Sequence, residues 1–357
     1  MNQQRLARVL RNMERDGLEQ IVVTSTASVY YLTGYWVEPM ERMLALYLRA
    51  DGTCTLFANT LFALEPQEGL ELVLHQDSDE PTAALAAALR PGRLGVDKAW
   101  PSKFLIALLN ARPDVTPVLG SAPVDDARKY KDADEIAAMR HASRINDQVV
   151  EQVIAAVKEG AVESELAAYV ESLYRQHGAD RSSEGQLVCF GPNGADPHHG
   201  PNDTVLKDGD SVVLDIFIPI RRYWCDMTRT VFFRSVSDEG RRVYETVKAA
   251  NLAAEAMIRP GVPMRDIDRA ARKVIEDAGY GPCFTHRLGH GCGLDCHEPP
   301  DNSASSPAIA EPGMVFSVEP GIYLPGKLGV RIEDLVLVTE DGCEVLNHAS
   351  KELRVVE

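Results

Sequence analysis

Four acidic residues lie inside apolar segments in the C-terminal half of this chain. Asp215 follows the apolar run 211–214, and Asp226 lies on the segment that returns from it. Glu319 and Glu333 occupy the corresponding places in a later pair of segments. A carboxylate inside an apolar strand is costly unless it is paired, hydrogen-bonded or bound to a metal ion. All four residues are therefore candidate metal ligands.

Hairpin geometry is expected to bring each acidic pair together. Directly opposed residues of an antiparallel hairpin have position numbers with a constant sum, so Asp215 is predicted to face Asp226 across a turn within 219–222. The same rule places Glu319 opposite Glu333, across a turn on Gly326. Four carboxylates in one interior would repel one another strongly, and two divalent cations are the natural compensation.

The two carboxylate-bearing regions form a weak internal repeat. In each, a glycine turn (207–210 or 311–313) precedes an apolar strand with one carboxylate, and a return strand carries the second. Two predicted helices, about 238–258 and 264–278, lie between the repeats. The pattern indicates two related α+β halves that face each other across one site. A chance similarity between two ordinary hairpins is the alternative.

Histidines are concentrated in two polar segments near these acids. The glycine-rich segment 285–300 contains His286, His290 and His297, and the segment 193–200 contains His198 and His199. Glycine lets the backbone approach a ligand closely. A single histidine is more often structural, but three beside four strand carboxylates favour a functional site. His199 is not expected to be catalytic itself.

Other site chemistries fit the sequence less well. The cysteines and histidines of 283–297 could form a structural zinc site, but their spacings match no common zinc motif and no C-x-x-C is present. A G-x-S-x-G nucleophile motif and a G-x-x-x-x-G-K-[ST] phosphate loop are also absent.

The elements that carry these residues divide the chain in two. Residues 1–125 read as an α/β domain without a catalytic constellation, with helices near 4–16, 80–90 and 102–110 and strands near 19–24, 43–49, 53–58 and 94–97. The aromatic cluster 29–35 favours packing over substrate contact. The proline-bearing segment 117–126 is the predicted boundary, and Asp132 with Glu135 forms a predicted capping box for a long helix to about 158, before a second helix at 163–177.

Composition narrows the function classes. The formal net charge of −16, without a long basic run, disfavours nucleic acid and anionic membranes as partners. No stretch approaches the roughly 18 apolar residues of a membrane-spanning helix. The N-terminus lacks the apolar core of a signal peptide, and seven scattered cysteines indicate reduced thiols, so a cytoplasmic location is expected.

These residues resemble the pita-bread metallopeptidases, the family of methionine aminopeptidase, aminopeptidase P and prolidase. The family has an Asp in a strand, an Asp eleven residues later, a His in a Gly-rich segment and two Glu in a late hairpin. With no ligand missing, this pattern maps onto Asp215, Asp226, His290, Glu319 and Glu333. The proline-specific branch is similar in the segments 31–34, 197–199, 290–300, 318–323 and 330–334.

The resemblance implies a creatinase-like α/β N-terminal domain (1–125) and an α+β pita-bread catalytic domain with pseudo-twofold halves (126–357). It also implies two divalent metal ions, Mn, Co or Zn. Asp215 would chelate one ion, Asp226 and Glu333 would bridge the two, and His290 and Glu319 would complete the other ion's shell. Glu319 would in addition shuttle a proton to the leaving amine.

The resemblance further implies roles for residues around the metals. His198 and His297 are similar to the histidines that bind the substrate and stabilise the tetrahedral intermediate. His286 and Arg331 are similar to residues that line or brace the site, with packing an equal alternative for His286.

The implied activity is hydrolysis of the Xaa-Pro bond by a prolidase that takes dipeptides. Aminopeptidase P, which acts on longer Xaa-Pro-Yaa peptides, is the alternative. Relatives are commonly dimers, so a homodimer is expected. A metal-free creatinase-like amidinohydrolase and a non-catalytic pita-bread binding module are further alternatives, and the complete ligand set disfavours both.

Overall fold

The computed structural model describes residues 1–182 and 185–357 and divides into two compact units, Met1–Arg128 and Lys129–Glu357. Within these described ranges, no helix has the length and apolar character needed to cross a membrane.

The first unit is a six-stranded mixed sheet with flanking helices, which confirms the predicted α/β class. The sheet has the order β4-β3-β2-β1-β5-β6, and β1 is antiparallel to β2 and parallel to β5. Its strands are β1 (Gln20–Val23), β2 (Ala45–Arg49), β3 (Cys54–Asn59), β4 (Glu71–His75), β5 (Gly92–Val96) and β6 (Val115–Leu119). Its helices are α1 (Gln3–Arg15), α2 (Thr26–Thr33), α3 (Pro81–Ala88), α4 (Ser102–Ala111) and α5 (Ala122–Arg128).

The proline-bearing segment 117–126, predicted as the domain boundary, forms the end of β6 and the start of α5 in this unit. Pro117 lies in β6, at the edge of the sheet, where a missing N–H is tolerated. Pro123 lies in the first turn of α5, where a proline fits the helix, and its carbonyl accepts from Asn12 Nδ2 at 2.8 Å. The aromatic cluster is largely packed: Tyr31 is 1% exposed and its hydroxyl donates to the Ala127 carbonyl.

The second unit consists of two halves, each with a sheet and two helices. The helices are α6 (Ala133–Ala156), α7 (Glu163–Gln176), α8 (Asp238–Glu255) and α9 (Met264–Asp277). The capping box of Asp132 and Glu135 is present at the start of α6, as predicted. The strands are β7 (Leu187–Phe190), β8 (Ser211–Ile220), β9 (Tyr223–Phe233), β10 (Gly289–Gly291), β11 (Glu298–Asn302), β12 (Val315–Val318), β13 (Gly321–Leu324), β14 (Leu328–Arg331), β15 (Asp334–Val338), β16 (Cys343–Val345) and β17 (Val355–Val356).

Each half has its own apolar core. In the first half, α6 and α7 pack on the sheet of order β17-β9-β8-β7, around side chains such as Val149 and Leu214. In the second, α8 and α9 pack against the sheet β11-β10-β12-β15-β16 and the hairpin β13-β14, around side chains such as Val247 and Phe316. The helix–sheet arrangement repeats, as expected for pseudo-twofold halves.

The predicted register of the first acidic pair is wrong by two positions. Asp215 pairs with Thr228, and Asp226 pairs with Phe217. The hairpin turns at Arg221 and Arg222, which both adopt positive φ (54° and 73°). Arginine rarely adopts this conformation, so the sequence does not mark the turn. A two-residue shift preserves the face of a strand, so Asp215 and Asp226 are diagonal neighbours on one face.

The predicted register of the second acidic pair is confirmed. Val318 pairs with Asp334 and Gly321 pairs with Arg331, so Glu319 and Glu333 fall opposite each other. Both residues lie at the junction between two pairs of antiparallel strands: β12 with β15, and β13 with β14. Gly326 occupies the turn with a φ of +72°.

Candidate metal centre

All nine residues assigned to the site from the sequence line one cavity of about 480 Å³. The five candidate metal ligands come from three places in the fold. Asp215 and Asp226 lie on the adjacent strands β8 and β9, and His290 lies on β10. Glu319 directly follows β12, and Glu333 directly precedes β15. The cavity is also lined by His198, His286, His297 and Arg331.

Three buried side chains form the tightest group. Asp226, His290 and Glu333 each offer a ligand atom within 4.8 Å of the others. The Nε2 of His290 lies 3.6 Å from Asp226 Oδ2 and 3.4 Å from Glu319 Oε1. These distances leave space for a cation between the imidazole and the carboxylates, rather than direct hydrogen bonds.

The backbone around His290 fixes its tautomer. Nδ1 lies 3.1 Å from the Gly291 carbonyl oxygen, which can only accept, so Nδ1 carries the proton. Nε2 then has the lone pair that could bind a metal ion. Burial and the neighbouring His297, whose ring centroid is 3.8 Å away, lower the pKa of His290 to about 3, which keeps it neutral. Gly289 is required here, since a Cβ would lie 2.1 Å from the Ser317 carbonyl oxygen.

The carboxylates carry more negative charge than the protein compensates. Burial and the charges of the neighbouring acids raise the pKa values of Asp226 and Glu333 well above their usual range. Burial also raises the pKa of Glu319 to about 7, against the opposing effect of Arg331. Within 1–182 and 185–357, the buried Oδ1 atoms of Asp215 and Asp226 have no hydrogen-bond partner. These oxygens and the imidazole Nε2 fit divalent cations.

Arg331 is a buried cation beside the acids. Its guanidinium donates to Asp215 Oδ2 at 2.7 Å, to Thr228 Oγ1 at 3.1 Å and to the Tyr323 hydroxyl at 3.0 Å. The Tyr323 hydroxyl is 2.7 Å from His286 Nε2. Because burial raises the pKa of Tyr323 to about 12 and lowers that of His286 to about 4, the hydroxyl donates to a neutral imidazole. Arg331 and His286, which both line the cavity, are therefore linked through the Tyr323 hydroxyl.

Several side chains that orient the ligands have no role in the sequence analysis. The Thr228 hydroxyl donates to Glu333 Oε2 at 2.7 Å, and the Ser317 hydroxyl donates to Glu319 Oε1 at 3.0 Å. Each of these hydroxyls lies two residues from a ligand of its own segment, so period-two spacing could have indicated it. Tyr323 has no such signal, because its partners come from other segments.

The alternative structural zinc site is wrong. Cys292 Sγ faces the Trp224 carbonyl, and Cys296 Sγ lies 3.5 Å from Asp226 Oδ2. In the part of the chain that the structure describes, the group that could hold a metal is Asp226, His290 and Glu333, without a cysteine.

The metal-free protein is expected to lose stability as the pH rises above about 6.5. Folding raises the pKa of Glu319 to about 7 and those of Asp226 and Glu333 well above the usual range. The stability that these protonated groups contribute is lost as the pH passes through the folded-state values. The lowered pKa values of His286 and His290 act in the opposite direction, but only below about 6.5, the ordinary pKa of histidine.

The measurement is the melting temperature in EDTA between pH 6.5 and 8.5, with and without excess Mn²⁺. We expect a fall in EDTA, and a smaller dependence on pH with the metal, which offsets the repulsion between carboxylates. A melting temperature in EDTA that rises over this range would contradict the prediction.

Comparison with known proteins places the whole chain in a family. Residues 137–340 match metallopeptidase family M24, and residues 5–130 match the creatinase/prolidase N-terminal domain. An uncharacterized peptidase of Staphylococcus aureus (strain USA300) is 35% identical, over 97% of this chain and 99% of the relative.

Solved structures agree. A prolidase from Thermococcus sibiricus is 35% identical with a TM-score of 0.94, covering 100% of this chain and 99% of that one. An X-Pro aminopeptidase from Thermotoga maritima is 28% identical with a TM-score of 0.82, covering 97% and 100%. The chain is therefore a member of metallopeptidase family M24 with a creatinase/prolidase-type N-terminal domain.

Proposed function

We propose that this protein is a prolidase, a dinuclear-metal exopeptidase that hydrolyses the Xaa-Pro bond of dipeptides. The observation that carries the proposal is the convergence of five ligand side chains in one cavity, in a chain that matches a prolidase over its full length. The five side chains are Asp215, Asp226, His290, Glu319 and Glu333.

The ligands divide between two divalent ions, Mn, Co or Zn. Asp215, Asp226, His290, Glu319 and Glu333 would together hold both ions. The unpartnered Oδ1 atoms of both aspartates support this assignment. When bound, the ions lower the pKa of a water molecule and polarise the scissile carbonyl.

The protein's own residues handle the substrate and the proton. Glu319, oriented by the Ser317 hydroxyl, passes a proton to the leaving amine. His198 and His297 bind the substrate and donate to the carbonyl oxygen as negative charge develops on it. His286 and Arg331, which are linked through the Tyr323 hydroxyl, also bind the substrate.

The cavity also suits an apolar residue beside the metal ligands. Leu187 on β7 pairs with Asp215 on β8, and Phe217 on β8 pairs with Asp226 on β9. The side chains of Leu187 and Phe217 both line the cavity. The bond before proline is a tertiary amide without an N–H, so its recognition relies on shape rather than on backbone hydrogen bonding. The substrate is a proline-containing di- or oligopeptide.

Aminopeptidase P activity on Xaa-Pro-Yaa peptides is the second candidate. The match to the X-Pro aminopeptidase supports it, but the identity and TM-score are lower than for the prolidase. The complete ligand set argues against a metal-free amidinohydrolase and a non-catalytic binding module.

The remaining assignments complete the proposal. Catalysis resides in residues 126–357, with residues 1–125 as the N-terminal domain. We further propose a cytoplasmic homodimer that does not act on nucleic acid or membranes, in keeping with the net charge of −16.

The test is proline release from Ala-Pro and cleavage of Ala-Pro-Ala, by metal-stripped protein and after addition of Mn²⁺, Co²⁺ or Zn²⁺. We expect metal-dependent hydrolysis of the dipeptide and none by the matched variant Glu319→Ala. Cleavage of the tripeptide alone would establish the aminopeptidase P activity instead. No cleavage of either peptide under any metal would overturn the proline assignment.

A further inference from the structure

A buried carboxylate outside the metal centre contacts one loop at four points. Glu163, the first residue of α7, is completely buried. Its Oε1 accepts from the Phe190 backbone N–H at 2.6 Å and from Asn193 Nδ2 at 3.0 Å. Its Oε2 accepts from the Asn202 backbone N–H at 3.2 Å and lies 3.1 Å from His199 Nε2. Each carboxylate oxygen therefore accepts at least one backbone N–H.

All four contacts belong to the segment 190–202, which carries His198 to the cavity. The backbone N–H of His198 donates to Asp196 Oδ1 at 3.0 Å. Across residues 1–182 and 185–357, the His198 imidazole has no hydrogen-bond partner. The position of this imidazole therefore depends on the backbone that carries it.

Close backbone packing holds the same segment from another side. A Cβ on Gly329 would lie 1.7 Å from the Gly194 carbonyl oxygen, so the segment packs directly on β14. β14 ends at Arg331, another cavity residue. Glu163 and β14 thus fix the segment from two directions. His198 lies four residues beyond Gly194 and directly before His199.

We propose that Glu163 is a positioning residue for His198, acting through His199 and the backbone of segment 190–202. The inference rests on the proposed function, because it takes His198 as a substrate-binding residue. A carboxylate fits this site because its oxygens only accept, whereas the backbone N–H groups of Phe190 and Asn202 and the Asn193 amide NH₂ only donate. Misplacement of a reacting group by about 1 Å can cost about a hundredfold in rate.

The test is a double-mutant cycle on Ala-Pro hydrolysis by the full-length, metal-loaded protein. In Glu163→Gln, an amide NH₂ faces donors on one side, so at least one backbone N–H loses its acceptor. We expect kcat to fall by about 10- to 100-fold with little change in KM and unchanged metal content. In the His198→Ala background, the same change should lower kcat by no more than about twofold.

Asp97→Asn is the matched control. Asp97 is a buried carboxylate of the first unit that accepts from the backbone N–H groups of Thr24 (2.9 Å) and Ser25 (3.0 Å) and from Ser121 Oγ (3.0 Å). We expect this control to lower the melting temperature but to leave kcat unchanged.

If Glu163→Gln does not fold, His199→Gln takes its place, because it changes the imidazole contacts with Glu163 Oε2 and Asn202 Nδ2 and leaves the other contacts of Glu163 intact. Its smaller loss of kcat should likewise disappear in the His198→Ala background. Losses that multiply in the double variant would overturn this inference alone. Wild-type kinetics of His198→Ala would overturn both the inference and the proposed role of His198.

Discussion

Replacement of Glu333 by Gln is expected to lower kcat/KM for Ala-Pro by about a thousandfold or more, since metal-ion catalysis contributes several kcal/mol. The Glu333 carboxylate is 2% exposed and is oriented by the Thr228 hydroxyl. The amide keeps the shape of the side chain but removes the charge that would hold both cations. The measurements are steady-state kinetics and metal content per chain, and we expect both to fall.

The same substitution should leave the metal-free protein at least as stable as the wild type. Burial and the charges of Asp226 and Glu319 raise the pKa of Glu333, so the folded protein already favours a neutral side chain there. The control is Glu344→Gln, which removes an exposed partner of Arg140 and should change neither property. Glu333→Gln with activity within tenfold of the wild type would contradict a role as metal ligand.

Replacement of Arg331 by Met is expected to destabilise the metal-free protein by about 3–5 kcal/mol, the usual cost of removing one partner of a buried ion pair. The guanidinium is 4% exposed and makes three hydrogen bonds, to Asp215, Thr228 and Tyr323. Its loss leaves the Asp215 carboxylate without its protein cation. Urea denaturation in EDTA measures the difference in the free energy of unfolding.

Two further variants make this prediction specific. Arg331→Lys should recover only part of the stability, because an ammonium group cannot reproduce three divergent contacts of a planar guanidinium. Arg354→Met, which removes a half-exposed partner of Glu151, should cost about 1 kcal/mol or less. If Arg331→Met were as stable as Arg354→Met, the buried guanidinium would have no structural role at the site.

The candidate metal ligands and most elements of the second unit were predictable from the sequence, because they depend on local patterns. The capping box that marks the start of α6 consists of Asp132 and Glu135, which lie only three positions apart. Glu319 and Glu333 are aligned by the turn at Gly326, a residue suited to positive φ. In such cases the spacing along the chain already contains the geometry.

The register of Asp215 and Asp226 shows where local patterns fail. Its turn uses positive φ at Arg221 and Arg222, which neither residue type indicates. The prediction of a shared face survived only because the error was an even number of residues.

The sequence alone determined which residues could hold metal ions and, through strand and hairpin spacing, which of them share a face. Only the tertiary structure decided how these side chains are held. Arg331 donates a hydrogen bond to Asp215, 116 positions away in the chain, and Glu163 accepts one from Asn202, 39 positions away. Such contacts depend on how separate segments pack, and burial between those segments is also what raises the pKa values of the carboxylates.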